Sequence, residues 1–164
     1  MEEIGLPFSK STSLLILLNG IGIPARLIPG LIADKFGQLN TIVPISWCLV
    51  LVAWNWIPVS SVAGLYVWVC FYGINIAALQ CLIPPTVASL TSDMRVIGTR
   101  LGMVFSCMGL AGLTGPPIGG AIQGAMNGDY LGAQIWSAAS SMTCAIVLTI
   151  TRISKAERKL KVKV

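Results

Sequence analysis

The apolar residues of this chain gather into five long runs, at 12–33, 41–58, 62–82, 101–123 and 133–151, parted by short polar breaks. Each run approaches the roughly 20 residues that carry an α-helix across about 30 Å of hydrocarbon. The pattern predicts an all-α, polytopic bundle of five transmembrane helices. The breaks hold nearly all of the charge: Asp34 and Lys35, then Asp93, Arg95 and Arg100, then Asp129, then a basic tail at 152–164. No stretch between the runs is long enough for a separate soluble domain.

Composition agrees with the pattern. Of 164 residues, 55% are hydrophobic and 10% charged, with a mean hydropathy of +0.81, too little polar surface to enclose a soluble core of this size. The opening "MEEIGLPFSK" carries acids where a secretory leader carries basic residues, and no cleavage site follows. Basic flanks are retained on the cytoplasmic side. Lys35, Arg95, Arg100, Arg152, Lys155, Arg158, Lys159, Lys161 and Lys163 fall on one side and Lys10 on the other. The tail is therefore expected in the cytoplasm against anionic headgroups, and the net charge of +5 reads as topology and lipid attraction, with no nucleic-acid partner.

Catalytic parts are missing. The chain has no His, and its five Cys lie in or at the ends of apolar runs without a C-x-x-C pair, as small hydrophobes do. A zinc centre, a Ser-His-Asp triad or a paired-carboxylate hydrolase cannot be assembled from these residues. Neither an enzyme nor a cofactor or metal site is expected.

Small residues crowd the fourth run. Gly98, Gly102 and Ser106 are spaced by four, as are Gly115 with Gly119 and Gly120 with Gly124, and Gly109 lies between them. Such spacing lets helix backbones approach where lipid offers no hydrophobic drive. Pro116 and Pro117 each remove a backbone donor and are expected to bend this helix. In the third run Asn75 and Gln80 are polar groups at membrane depth; interhelical hydrogen bonding is the ordinary role of such residues, and a place on a substrate path is the alternative for Asn75. Trp54, Trp56 and Trp136 fit an interfacial aromatic belt.

The first run holds the most telling residue. In "NGIGIPARLIPGLIADKFG", Asn19, Gly22, Arg26, Gly30 and Ala33 share one small and polar stripe, at offsets of 3, 7, 11 and 14. A guanidinium facing lipid costs about 2.5–3.5 kcal/mol on insertion scales. Snorkelling toward the level of Asp34, about 12 Å away, runs against the lean of helical side chains toward the N-terminus. Arg26 is therefore expected to line an internal path, with Asn19 beside it.

These residues carry a resemblance. "GLIADKFGQLN" resembles the Gly-x-x-x-Asp-Arg/Lys-x-Gly-Arg loop signature of the major facilitator superfamily: Gly30, Asp34, Lys35 and Gly37 match, and Gln38 stands where a basic residue is usual. "FYGINIAALQCLIPPTVASLTSD" with "IGTRLGMVFSCMGLAGLTGPPIGGAI" is similar to the tenth and eleventh helices of monocarboxylate-porter-like members, especially fungal ones. The resemblance implies that the five runs are helices eight to twelve of a twelve-helix secondary transporter, symporters among its kin. It also implies a partial C-terminal lobe that lacks its first-lobe partner, a fragment or a chain that borrows helices from another. A small organic anion, a monocarboxylate above all, is the implied substrate, held by Arg26, and the plasma membrane or a vacuolar membrane the implied location. Where such proteins carry an acid one turn before this arginine the chain has Gly22, and no run contains Asp or Glu, so no proton relay is assigned. Asp34 is expected to be a solvated turn acid that caps the next helix, or else a latch onto the opposite lobe. The competing reading is a non-transporting regulator or structural subunit that pairs with a complete transporter.

Overall fold

The computed structural model describes residues 8–59, 61–126 and 128–161. They form five α-helices and a short 3-10 turn: α1 (Phe8–Phe36), α2 (Gln38–Trp54), α3 (Val62–Leu90), the 3-10 turn Met94–Val96, α4 (Ile97–Ala125) and α5 (Leu131–Lys161). The all-α bundle expected from hydropathy is the observed fold. Four of the helices are long and apolar enough to cross a membrane, while α2, with 17 residues, is shorter and rises about 26 Å.

The helices differ in length from the apolar runs for identifiable reasons. The second stops at Trp54, ahead of position 58: Asn55 Nδ2 takes the carbonyl of Leu51 at 2.7 Å, and the chain then tightens into i to i−3 bonds, Trp56 N–H donating to Ala53 O and Ile57 N–H to Trp54 O, each at 3.3 Å. Pro58 then follows within the turn. The third continues past 82 to Leu90, with Pro84 and Pro85 inside it. Each proline removes one donor, leaving the carbonyls of Gln80 and Cys81 unpaired within the helix, a cost that surrounding turns can absorb. The fourth likewise runs unbroken through Pro116 and Pro117. The basic tail continues α5 as helix to Lys161; Lys163 lies outside the described residues, as do residues 1–7.

Packing centres on the first three helices. α1 lies chiefly against α3, and α2 lies against α3 and α5. Close approach is set by glycine: a Cβ on Gly73 would stand 3.3 Å from the backbone oxygen of Leu18, and one on Gly22 would stand 3.5 Å from Ala77 Cβ. Ala33, Ile42, Val43 and Leu82 form the core at one end, and Leu65 and Val69 a smaller cluster toward the other. Indole nitrogens tie the layers together, Trp68 Nε1 donating to Val52 O at 2.7 Å and Trp47 Nε1 to Thr149 Oγ1 at 3.1 Å. Trp56, Trp68 and Tyr72 stack as a ladder with successive centroids 4.9 Å apart.

α4 stands apart. It touches α5 and α3 only lightly and none of its residues is buried. A Cβ added at Gly102, Gly109, Gly115, Gly119 or Gly120 would meet nothing within 4 Å. The close packing expected of these glycines is not made by any described part of this chain. The reason is position: α4 lies at the margin of the bundle, so most of its circumference faces no neighbour.

Candidate functional site

Arg26 is at the midpoint of the span Ile16–Phe36, about 15 Å from either end. Its stripe divides in the folded chain. Gly22 and Ala33 are buried in the seam with the neighbouring helices, while Asn19 and Arg26 are exposed beside that seam and Gly30 is half-buried. Among the described residues Arg26 has no hydrogen-bond or ion-pair partner, whereas Asn19 does interact. Ile23 and Leu27, next to it on the outer side, are 68% and 69% exposed. A permanent cation thus sits at mid-span with no group in the described chain to compensate it.

Asn75 is not brought to Arg26. α1 and α3 run parallel, with Leu18 beside Gly73 and Gly22 beside Ala77, which places Arg26 near the depth of Cys81 and Asn75 about 9 Å nearer the other end. Asn75 is also turned about 160° around α3 from Ala77, and its Nδ2 donates to Phe71 O in its own helix at 2.8 Å. Gln80 has the placement Asn75 lacks. Seven residues after Gly73, it points to within about 20° of the same direction, at the depth of Arg26, and it is exposed. Its seven-residue spacing from Gly73 is visible in the sequence, but only the α1–α3 register gives that spacing a meaning.

The loop signature builds a sharp corner. A single residue, Gly37, joins α1 to α2, with φ +92°, a backbone region that an L side chain enters only with strain. Its N–H donates to Ala33 O at 2.8 Å and its carbonyl accepts from Thr41 N at 3.2 Å, so one glycine ends one helix and begins the next. Asn40 Nδ2 closes the corner by donating to Phe36 O at 2.9 Å. Asp34 and Lys35 are exposed. Asp34 does not cap α2: the cap is Gly37, with no side-chain hydrogen bond, because the carboxylate projects from the preceding turn of α1. At the α3–α4 connection Asp93 Oδ1 accepts from Arg95 N at 2.9 Å, and Arg100 Nη1 reaches Leu90 O and Thr91 Oγ1, each at 3.5 Å. That arginine thereby serves the last carbonyl of α3 and the hydroxyl of the residue after it.

A cavity of about 550 Å³ opens beside this corner. Its walls come from the first turn of α2, the end of α3 and the lower part of α5, and among the described residues Arg152 and Lys155 are its charged lining. Arg152 Nε donates to Asn40 Oδ1 at 2.8 Å, and Lys155 Nζ donates to Ser89 O. Hydropathy did not foretell this concavity, since its walls come from three helices distant in sequence. Among the described residues no group of His, Cys, Asp and Glu could hold a metal ion.

The class is thus a multi-pass helical membrane protein with a mid-span arginine. No family model matches the chain, and no solved structure does. Curated relatives sharpen the class. The chain is 38% identical over 135 residues to an MFS-type transporter of Gibberella zeae, covering 82% of this chain and 31% of that protein. It is 34% identical over 163 residues to MFS-type transporter 1 of Ophiocordyceps sp., covering 99% and 36% respectively. With the aspyridones efflux protein of Emericella nidulans it shares 33% identity over 141 residues, 86% of this chain and 29% of that protein. The chain is homologous to a segment of fungal MFS-type transporters and spans about a third of the length of these relatives.

Proposed function

We propose that these five helices belong to the second lobe of a secondary transporter of the major facilitator type, and that Arg26 faces its central cavity to hold a small organic anion, a monocarboxylate in the simplest case. The observation that carries the reading is the cation at the midpoint of Ile16–Phe36 without a compensating group among the described residues. Such a charge at membrane depth needs water, protein or substrate around it. A carboxylate offers a guanidinium two parallel charge-assisted hydrogen bonds, which no uncharged polar group equals. Relatives named for transport and, in one case, for aspyridones efflux agree with carriage of organic molecules. The unfilled flank of α4 agrees with further helices completing the bundle. Gln80 stands at the same depth as Arg26 and would add a neutral donor to the substrate's other polar groups.

The test uses a reconstituted full-length transporter carrying this segment. Arg26→Gln is expected to lower organic-anion uptake at least tenfold, with Arg26→Lys retaining part of it, because a point charge survives while the planar fork is lost. A single cysteine at position 26, in a background with the native cysteines replaced, is expected to react with a charged, membrane-impermeant thiol reagent. Unchanged uptake in the Gln variant, with a residue 26 sealed from that reagent, would sink the reading.

A further inference from the structure

We propose that the cavity between the start of α2, the end of α3 and the lower part of α5 is a binding site for a phosphate group, presented by the headgroup of an anionic phospholipid. Charge is the first reason. Arg152 and Lys155, three residues apart on α5, line the cavity, and among the described lining residues none is acidic, so the two basic side chains give this wall a positive charge. The second is available donors. Arg152 engages Asn40 through Nε alone, which leaves its two terminal nitrogens, the pair that forks onto phosphate oxygens, without a recorded acceptor among the described residues. Gly37 contributes no side-chain cap, and the N–H groups of the first turn of α2 add the positive end of a helix dipole to the same wall.

Depth and lining favour a lipid over a free ion. The cavity sits where the apolar spans give way to charge, at the end of the bundle that holds Lys35, Asn40 and Ser89. Leu39 and Ile153 line it beside the cations, and Ile153 is 54% exposed, so apolar surface continues from the polar floor as acyl chains would require. A volume near 550 Å³ falls within the range of small-molecule sites. Basic pockets between transmembrane helices at this level are a physical basis for headgroup recognition distinct from diffuse attraction of a basic tail.

The experiment is native mass spectrometry of the full chain, delipidated in a neutral detergent and titrated with phosphatidylglycerol, with inorganic phosphate in a parallel arm. One retained phosphatidylglycerol per chain is expected, with saturation, and at least a tenfold weaker half-saturation in Arg152→Gln. Because Arg152 also holds Asn40, a second variant fills the cavity and keeps both cations: Ser89→Trp is expected to abolish the retained lipid at unchanged helix content and elution volume. Replacing Arg158, Lys159, Lys161 and Lys163 together by Gln is expected to leave the single adduct in place. Equal binding by wild type, Arg152→Gln and Ser89→Trp would overturn the proposal, as would loss of the adduct on tail substitution alone. Displacement of the lipid by millimolar inorganic phosphate would overturn the lipid source as well.

Discussion

Gly37 illustrates what a residue can decide. One position carries the turn between two helices, and φ +92° with ψ +146° puts it in a region that glycine alone enters readily, costing a residue with a side chain on the order of 1–3 kcal/mol. Gly37→Ala is expected to lower stability by about that amount, measured as a shift in the unfolding midpoint in mixed micelles. Asn40→Ala would remove the side chain that bonds both Phe36 O and Arg152, and an additional loss of about 1–2 kcal/mol is expected from the two bonds. Glycine at this corner was legible in the sequence through the loop signature. The division of the Arg26 stripe was not, because periodicity places residues on a face of one helix but says nothing of how far the neighbouring helix wraps around it. The same limit explains Asn75 and Gln80: both read as polar groups at membrane depth, and only the α1–α3 register places Gln80 level with Arg26.

Helices in this molecule differ less in composition than in what they touch. α3 and α4 both carry a Pro-Pro step and several small residues, yet Gly73 in α3 is pressed against Leu18 while the glycines of α4 meet open space. The two therefore respond differently to a methyl group. Gly73→Ala places its Cβ 3.3 Å from a backbone oxygen and is expected to destabilise by about 1–3 kcal/mol. Gly112→Ala, with nothing within 4 Å, is expected to leave the unfolding midpoint of this chain unchanged or slightly raised, alanine being the better helix former. In a completed transporter the same Gly112→Ala change would become costly if another helix occupied that flank. Comparing the two backgrounds measures directly whether α4 has acquired a neighbour.

At the scale of the whole molecule, the seams between α1 and α3 and between α2 and α5 hold the bundle, and α4 hangs at its edge. Local stability follows packing, so hydrogen–deuterium exchange in micelles is expected to run fastest in α4 among the five helices and slowest in α3. Similar protection in all five would contradict this arrangement. The indole ties from α2 to α3 and to α5 cross between helices in polar groups, and in hydrocarbon each leaves an unpaired donor when broken. Trp47→Phe is accordingly expected to loosen α5 from α2 and to raise exchange in α5 without altering α1.

The order and class of the helices, the concentration of charge at one end and the cation at mid-span were determined by the sequence alone, because partition between water and hydrocarbon depends on composition along the chain and little else. Tertiary structure decided the rest: which small residues are pressed together, which polar side chain shares the depth of Arg26, and that Arg152 and Lys155 meet the start of α2 around a cavity. These depend on register and rotation between helices, and those are set by side-chain interlocking across segments that hydropathy treats as alike.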